Sequence, residues 1–262
     1  MTEWIDLERE LDAWGRAGQS ATLWWRDDDA VTSTPALKRL LEVAAVAAGR
    51  PLAVALAVIP ARSDIALARA LLADDHVIAL QHGYSHTNQA TAGGKKAEFG
   101  VGRDSSLALH ELREGSRRME ELFGARALPV LVPPWNRIDP ALFVRLVDAG
   151  VRGVSTYGPR AAKMADGGIV AVNTHVDIVD WHAGRRFLGP ERCLQLAISH
   201  LRARREGRVD RTEPTGLLTH HVIHDEDAWS FLANFLRRTS RHAAACWMDA
   251  RGLFGCSSDE PA

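Results

Sequence analysis

Three consecutive aspartates, Asp27, Asp28 and Asp29, follow the segment SATLWWR, whose apolar run is typical of a short buried strand. The acids therefore come where a strand ends, and side chains at a strand end can converge. Two carboxylates about 4 Å apart repel each other by roughly 4 kcal/mol at the effective dielectric of a protein surface. A divalent cation among them would relieve that repulsion. Taken alone, the run is better explained as a solvated turn than as a metal site.

Two histidines, His82 and His86, follow the predicted strand HVIAL in the segment QHGYSH. Histidines four residues apart can face one metal ion, although this spacing is common by itself. Gly83 stands where zinc proteases with an HExxH motif carry their glutamate, so that class is excluded.

Polar and aromatic residues follow further predicted strands: the segments PPWNR (133–137) and DWHAG (180–184), and the pair His220 and His221. One aspartate and two histidines would leave an open coordination position for water, as in a catalytic zinc site. A second carboxylate could take a proton from that water, and a separate histidine could protonate the leaving group. The combination predicts metal-dependent hydrolysis.

The elements that must position these groups are short apolar strands alternating with amphipathic helices. Thr34 followed by Pro35 marks a helix start, and the apolar run PLAVALAVIP is typical of a strand covered on both faces. This alternation indicates an α/β protein with a largely parallel sheet, and residues 1–262 read as a single barrel domain. In such barrels the chemistry collects at the carboxyl ends of the strands. The aperiodic segment 87–103 is predicted to be a mobile loop.

Composition excludes several function classes. The chain is 46% hydrophobic and 25% charged with a net charge of −1, so no basic surface suggests nucleic acid. The three cysteines form no CxxC pair, which argues against a disulfide framework. No stretch reaches the roughly 18 apolar residues of a membrane span, and no export signal is recognisable, so we expect a cytoplasmic protein without a membrane partner. The oligomeric state stays open.

The segments RDDDA, HGYSH, VPPWN, DWHAG and LLTHH occur in this order at the ends of successive predicted strands. Together they resemble the motifs of the polysaccharide deacetylases of carbohydrate esterase type 4, the nodulation-deacetylase homology family. Those motifs are TFDDG-like, H[ST]xxH, RxPY-like, DWxxG-like and LxH-type. The resemblance covers roughly residues 20–225. It implies a distorted, TIM-like (β/α) barrel of about seven strands that binds one divalent cation.

The resemblance also implies roles for individual residues. His82 and His86 correspond to metal ligands. We place the two acids of the family on Asp28, as the general base, and Asp29, as the third ligand, because Ala30 then stands where the family has glycine. The Asp/His/His set suits zinc, our first expectation, as well as cobalt, nickel or manganese.

Two of these assignments stay open. A shift by one residue would make Asp27 the base and Asp28 the ligand. His220 is expected to be the general acid, with His221 as the second candidate. Backbone N–H groups near Trp135 are expected to hold the oxyanion that develops on the attacked carbonyl.

The chain departs from the family pattern at two positions. Gly83 replaces a serine or threonine of the second motif. Val132 stands where the third motif usually has an arginine that steadies the base. We expect Arg26, beside the acid run, to supply that charge, with Arg137 as the second candidate.

Aromatic residues next to the motifs suit the C–H faces of sugar rings. Pro134, Trp135 and Trp181 are therefore expected to contact substrate, although tryptophans are also often largely buried. The sequence thus predicts a metal-dependent hydrolase that removes acetyl from an N-acetylated sugar, oligosaccharide or related amide. The alternative is a degenerate member of the family that binds carbohydrate or a partner without turnover.

Overall fold

The computed structural model describes residues 2–47, 49 and 51–256. Its helices in chain order are α1 (Trp4–Arg16), α2 (Pro35–Val46), α3 (Ile65–Leu72), α4 (Ser105–Phe123), α5 (Pro140–Phe143), α6 (Pro190–Arg205), α7 (Glu226–Arg241) and α8 (Ala250–Phe254). The Thr34 side chain accepts a hydrogen bond from the Leu37 N–H and so caps α2 as the sequence predicts. Ala48 and Arg50, at the end of the segment TPALKRLLEVAAVAAGR in which the helix is predicted, lie outside the described residues.

The strands are β1 (Ala21–Ala30), β2 (Val54–Val58), β3 (Val77–His82), β4 (Ala127–Val132), β5 (Gly153–Val154), β6 (Met164–Ala165), β7 (Ile169–Ala171), β8 (Val176–Asp177), β9 (Val179–Asp180), β10 (Arg186–Phe187), β11 (Thr215–Thr219) and β12 (Ala245–Trp247). One sheet runs in the order β6-β7-β5-β4-β3-β2-β1-β11-β8, and β12 pairs with the beginning of β1. All its pairings are parallel except that of β6 with β7. β9 and β10 form a separate antiparallel hairpin.

The sheet curls because a single extended segment, residues 169–177, contacts both of its sides. β7 begins this segment and pairs with β5, and the Thr174 N–H continues that pairing to the Thr156 carbonyl at 3.0 Å. β8 ends it and pairs with β11, where the His175 N–H donates to the Gly216 carbonyl at 2.7 Å. The expected α/β fold, a distorted barrel of largely parallel strands, is confirmed.

The core lies on both faces of the curled sheet. Alternate residues of β1 to β4 point inward and form an interior cluster with Phe254 of α8, which packs edge-on against Trp24 at 6.2 Å between ring centroids. The opposite face of the strands packs against the surrounding helices in a larger cluster. Strands covered on both faces read as continuous apolar runs, as PLAVALAVIP does. Within the described residues, no helix combines the length and the apolar character needed to cross a membrane.

Candidate metal and catalytic site

The residues singled out by the sequence come from strands that are neighbours in the sheet. β3, β2, β1 and β11 follow one another and run parallel, so their carboxyl ends meet at one rim. Asp29 lies at the end of β1, His82 at the end of β3 and His220 just after β11. The topology therefore brings together groups that are far apart in the chain.

Asp29 lies at an irregularity of β1 that turns its side chain. Along the strand, Arg26 and Asp28 contact each other on one face, while Trp25 and Asp27 both reach the side chain of Thr219 on the other. The pairing of β1 with β2 shifts register between Asp27 and Ala30, and Asp29 has a φ of 71°. A bulge of this kind re-aims a side chain, and aspartate tolerates the left-handed conformation better than most residues.

The two histidines of HGYSH face the Asp29 carboxylate. Nε2 of His82 lies 3.3 Å and Nε2 of His86 3.4 Å from Oδ1 of Asp29. The three candidate ligand atoms lie within 4.8 Å of one another. Nδ1 of His82 is 2.9 Å from the Val132 carbonyl, which can only accept, so Nδ1 carries a proton and Nε2 is the nitrogen that can bind a metal in place of a proton. This tautomer is the one a metal ligand needs.

The electrostatics of this trio favour a cation. Burial would raise the pKa of the Asp29 carboxyl, but the hydrogen bond and charge of His82 hold that pKa well below its usual range. Burial would lower the pKa of His82, but the hydrogen bond to Asp29 and the charges of Asp28 and Asp29 raise it overall. Burial and the neighbouring His82 lower the pKa of His86. A place that attracts a proton between an anion and a neutral imidazole also suits a divalent metal ion, which takes these donors as ligands.

Asp28 is held by Arg26 in a buried two-point ion pair. Nε of Arg26 donates to Oδ1 of Asp28 at 2.8 Å and Nη2 donates to Oδ2 at 3.0 Å. The guanidinium also donates to Ser155 Oγ at 2.6 Å and to Asn136 Oδ1 at 3.0 Å, and its side chain is fully buried. Arg26 thus contacts Asp28 as expected of the charge that replaces the family arginine. Arg137, the second candidate, is exposed and donates to the Lys96 carbonyl instead.

Asp27 lies away from the metal trio. Its Oδ1 is 2.5 Å from Nδ1 of His221, and its Oδ2 accepts from Thr219 Oγ1 at 2.6 Å and from the His221 N–H at 3.0 Å. Burial would raise the pKa of Asp27, but the charge and hydrogen bond of His221 lower it, and the pKa of His221 is raised in return. This buried pair joins the end of β1 to the end of β11. It leaves Asp28 and Asp29 as the acids that face the rim.

His220 lies against Trp181 just after β11, the strand that pairs with β1. The two rings meet edge-on with centroids 4.7 Å apart, and Nε1 of Trp181 donates to Oδ2 of Asp177 at 2.7 Å. Burial raises the pKa of Asp177. Nδ1 of His220 is buried without a hydrogen-bond partner among the described residues. Trp181 itself is 43% exposed, so one part of its ring is open to a ligand.

The segment PPWNR folds as a tight turn beside His86. Trp135 has a φ of 57°, and its ring centroid lies 4.4 Å from that of His86. Pro134 is buried, whereas Trp135 is half-buried. The N–H groups of Asn136 and Arg137 donate to the carbonyls of Pro133 and Pro134 within the turn. Of the backbone N–H groups expected to hold the oxyanion, the Trp135 N–H is therefore the candidate that remains.

Several residues that support the site were not identified by the sequence analysis. Asn136 and Ser155 hold Arg26, Asp177 holds Trp181, and Glu98 contacts the turn that carries His86. Asn136 lies within a quoted motif, but the other three carry no spacing that marks them, because their partners come from other loops.

The structure brings together a second group of potential metal ligands that the sequence analysis did not identify: His175, His200 and Glu213, all of them buried. Its two imidazole rings are stacked, with centroids 3.4 Å apart and planes 13° apart. The lone pairs of parallel rings lie in separate planes and cannot converge on one ion. The nearby Arg204 guanidinium lowers the pKa of both histidines further than burial alone does. This group therefore does not fit a metal.

No family model matches this sequence, and no curated protein matches it. Solved structures do match. A protein assigned as a polysaccharide deacetylase from Mycobacterium smegmatis matches with a TM-score of 0.64 and 15% identity over 90% of each chain. A peptidoglycan N-acetylglucosamine deacetylase, solved in complex with a substituted N-oxidanyl-benzamide, matches with a TM-score of 0.59 and 11% identity over 95% of this chain and 99% of that one.

This chain has the fold of the polysaccharide deacetylases. A 4-alpha-glucanotransferase from Thermococcus litoralis shares the fold with a TM-score of 0.52 and 12% identity, over 92% of this chain and 41% of that enzyme. The fold is therefore compatible with more than one reaction on carbohydrates, and function has to be argued from the site.

Proposed function

We propose that this chain is a metal-dependent deacetylase that hydrolyses the acetamido group of an N-acetylated sugar or a related amide. The observation that carries the proposal is the convergence at one rim of three metal-ligand side chains, an arginine-held carboxylate and a separate histidine. The fold shared with a peptidoglycan N-acetylglucosamine deacetylase supports the choice of substrate class.

Asp29, His82 and His86 would hold the cation, with zinc as the first expectation and cobalt, nickel or manganese as alternatives. Their three donors leave positions open to water and to substrate, as in catalytic rather than structural zinc sites. When bound, the ion supplies Lewis-acid polarisation of the water and of the acetyl carbonyl.

Asp28 is the proposed general base. It takes the proton of the water whose oxygen forms the new bond to the acetyl carbon. The two hydrogen bonds from Arg26 fix the position and orientation of the carboxylate. Asp29 is turned by the bulge toward the histidines, which supports the division of roles between the two acids.

His220 is the proposed general acid. It protonates the amide nitrogen as the C–N bond breaks, so that the products are acetate and the free amine of the sugar. The edge-on contact with Trp181, which Asp177 holds, fixes the imidazole ring. His221 is less suitable because its Nδ1 and backbone N–H are both engaged with Asp27.

Trp135, Trp181 and Pro134 are the proposed substrate contacts. Trp135 borders the metal ligands and Trp181 borders the proposed acid, so the two indoles flank the reacting group. Partly exposed indole faces suit sugar rings, which supports a small N-acetylated sugar or an oligosaccharide as substrate.

The test is acetate release from oligomers of N-acetylglucosamine by protein loaded with zinc or cobalt. Asp28→Asn keeps the shape of the base but cannot take a proton, and we expect its rate to fall by about 100-fold or more while its metal content is unchanged. Asp12→Asn, at an exposed position of α1 away from the site, is the matched control and should retain activity. Binding of the oligomers by the parent protein without release of acetate would instead favour the carbohydrate-binding alternative.

A further inference from the structure

Glu98 is a fully buried acid that belongs to none of the motifs. Its carboxylate accepts hydrogen bonds from three successive backbone N–H groups: Tyr84 at 3.2 Å, Ser85 at 2.8 Å and His86 at 3.1 Å. The Ser85 hydroxyl adds a fourth at 3.0 Å. Successive N–H groups that converge in a turn form a concave site for an anion, and here the side chain of Glu98 fills it. The turn that carries His86 is therefore folded around this carboxylate.

The position of the Glu98 carboxylate requires glycine at position 83. A Cβ atom at position 83 would lie 2.0 Å from Oε2 of Glu98 and 2.6 Å from Cγ of Pro134, and the backbone there has a φ of +63°. Both observations require glycine between the two histidines. The departure from serine or threonine at this position thus has a steric cause, because the glutamate occupies the space that a side chain would need.

The loop of Glu98 is itself fixed. Nη1 of Arg103 donates to the Glu98 carbonyl at 2.5 Å, and Arg103 is paired with Glu111 of α4. Phe99 is fully buried, and its carbonyl accepts from the Asp139 N–H at 2.7 Å, just beyond the turn of Trp135. Part of the segment 87–103 predicted to be a mobile loop is therefore packed between the His86 turn and the Trp135 turn.

We propose that Glu98 is the positioning residue of the metal site: its carboxylate folds the turn 83–86 so that His82 and His86 face one ion. This inference rests on the proposed function, because it presumes that these histidines bind the metal. Residues that orient ligands without touching the metal typically contribute 10–100-fold to its affinity, and we expect an effect of that size.

The experiment compares Glu98→Gln with the parent in two measurements. The first is the affinity for zinc, by calorimetric titration of the full-length metal-free protein. The second is amide hydrogen exchange of residues 83–86 in the metal-free protein, which needs neither metal nor activity. We expect at least a tenfold loss of zinc affinity and at least tenfold faster exchange in this turn. The amide oxygen of glutamine can take the place of Oε1, but its NH2 group then faces the Tyr84 N–H, donor against donor, and the negative charge that attracts all three N–H groups is lost.

Glu213→Gln is the matched control. Glu213 is also fully buried and accepts from two backbone N–H groups, those of Arg160 and Asn173, but it does not touch the ligands. It should lose thermal stability while keeping zinc affinity and exchange at 83–86. If Glu98→Gln does not fold, Glu98→Asp is measured instead: it keeps the charge but is one methylene too short to reach all three N–H groups, so we expect weaker zinc binding and faster exchange at 83–86 than in the parent.

The two proposals fail in different ways. Unchanged zinc affinity and exchange in Glu98→Gln would overturn the role of Glu98 and leave the metal site intact. A parent protein that binds none of zinc, cobalt, nickel and manganese would overturn the metal-dependent function, and unchanged exchange in the variant would still overturn the role of Glu98. An equal loss of zinc affinity in Glu213→Gln would show a general loss of structure and would also overturn the specific role.

Discussion

Arg26 is the residue on which the buried polar network of the rim depends. It is fully buried and joins Asp28 of its own strand to Ser155 and Asn136 of two distant loops. Removing one partner of a buried ion pair leaves the other charge desolvated and uncompensated.

We predict that Arg26→Met lowers the free energy of unfolding by about 3–5 kcal/mol, as measured by urea denaturation. The double variant Arg26→Met, Asp28→Asn should lose less than the sum of the two single changes, because neither charge is then left alone. Strictly additive losses would contradict the view that these two residues form one unit.

At this scale the sequence predicted much of the site. His82, His86 and Asp29 were found because each comes at or just after the end of an apolar run. Arg26 was found because it directly precedes the three acids. The pairing of Asp27 with His221 and the contacts of Glu98 could not be predicted, since their partners meet only after the strands and loops have packed.

Two parts of the sheet, strand β1 and the stretch that contains β7 and β8, differ from what the sequence pattern predicts. The strand was predicted to end before the acids, but Asp27, Asp28 and Asp29 belong to β1 itself. A bulge turns the Asp29 side chain away from the face on which regular alternation along the strand would place it. The segment GIVAVNTHVDIV (168–179) reads in the sequence as one strand, whereas the structure breaks it into β7, which pairs with β5, and β8, which pairs with β11. Both features depend on the curl of the whole sheet, which local patterns do not encode.

Over the whole molecule, buried histidines link stability to pH. Burial, together with His175 and Arg204, lowers the pKa of His200 to about 2. In the unfolded chain a histidine titrates near its ordinary pKa of about 6.5. The stabilisation from keeping His200 neutral is therefore complete above about pH 6.5 and declines as the pH falls, because only the unfolded state takes up the proton.

We predict that the free energy of unfolding of the parent falls more steeply between pH 6.5 and pH 4 than that of His200→Gln. The difference in slope should approach about 1.4 kcal/mol per pH unit, the value for one proton bound only by the unfolded state. Urea denaturation at several pH values measures both slopes. Parallel curves would contradict the neutral, buried state of His200.

The shared barrel does not by itself define the reaction, since the same fold is found in a deacetylase and in a glucanotransferase. What distinguishes this chain is the set of polar groups at the rim, among which Asp29, His82 and His86 are the proposed ligands of one metal ion.

The most direct test is the metal content of the purified protein by elemental mass spectrometry, after incubation with zinc, cobalt, nickel or manganese and removal of unbound ions. We predict about one equivalent of a divalent metal in the parent and in His200→Gln, and none in Asp29→Ala or His82→Ala. A parent protein without metal under all four conditions, or full retention of metal in Asp29→Ala, would contradict the account.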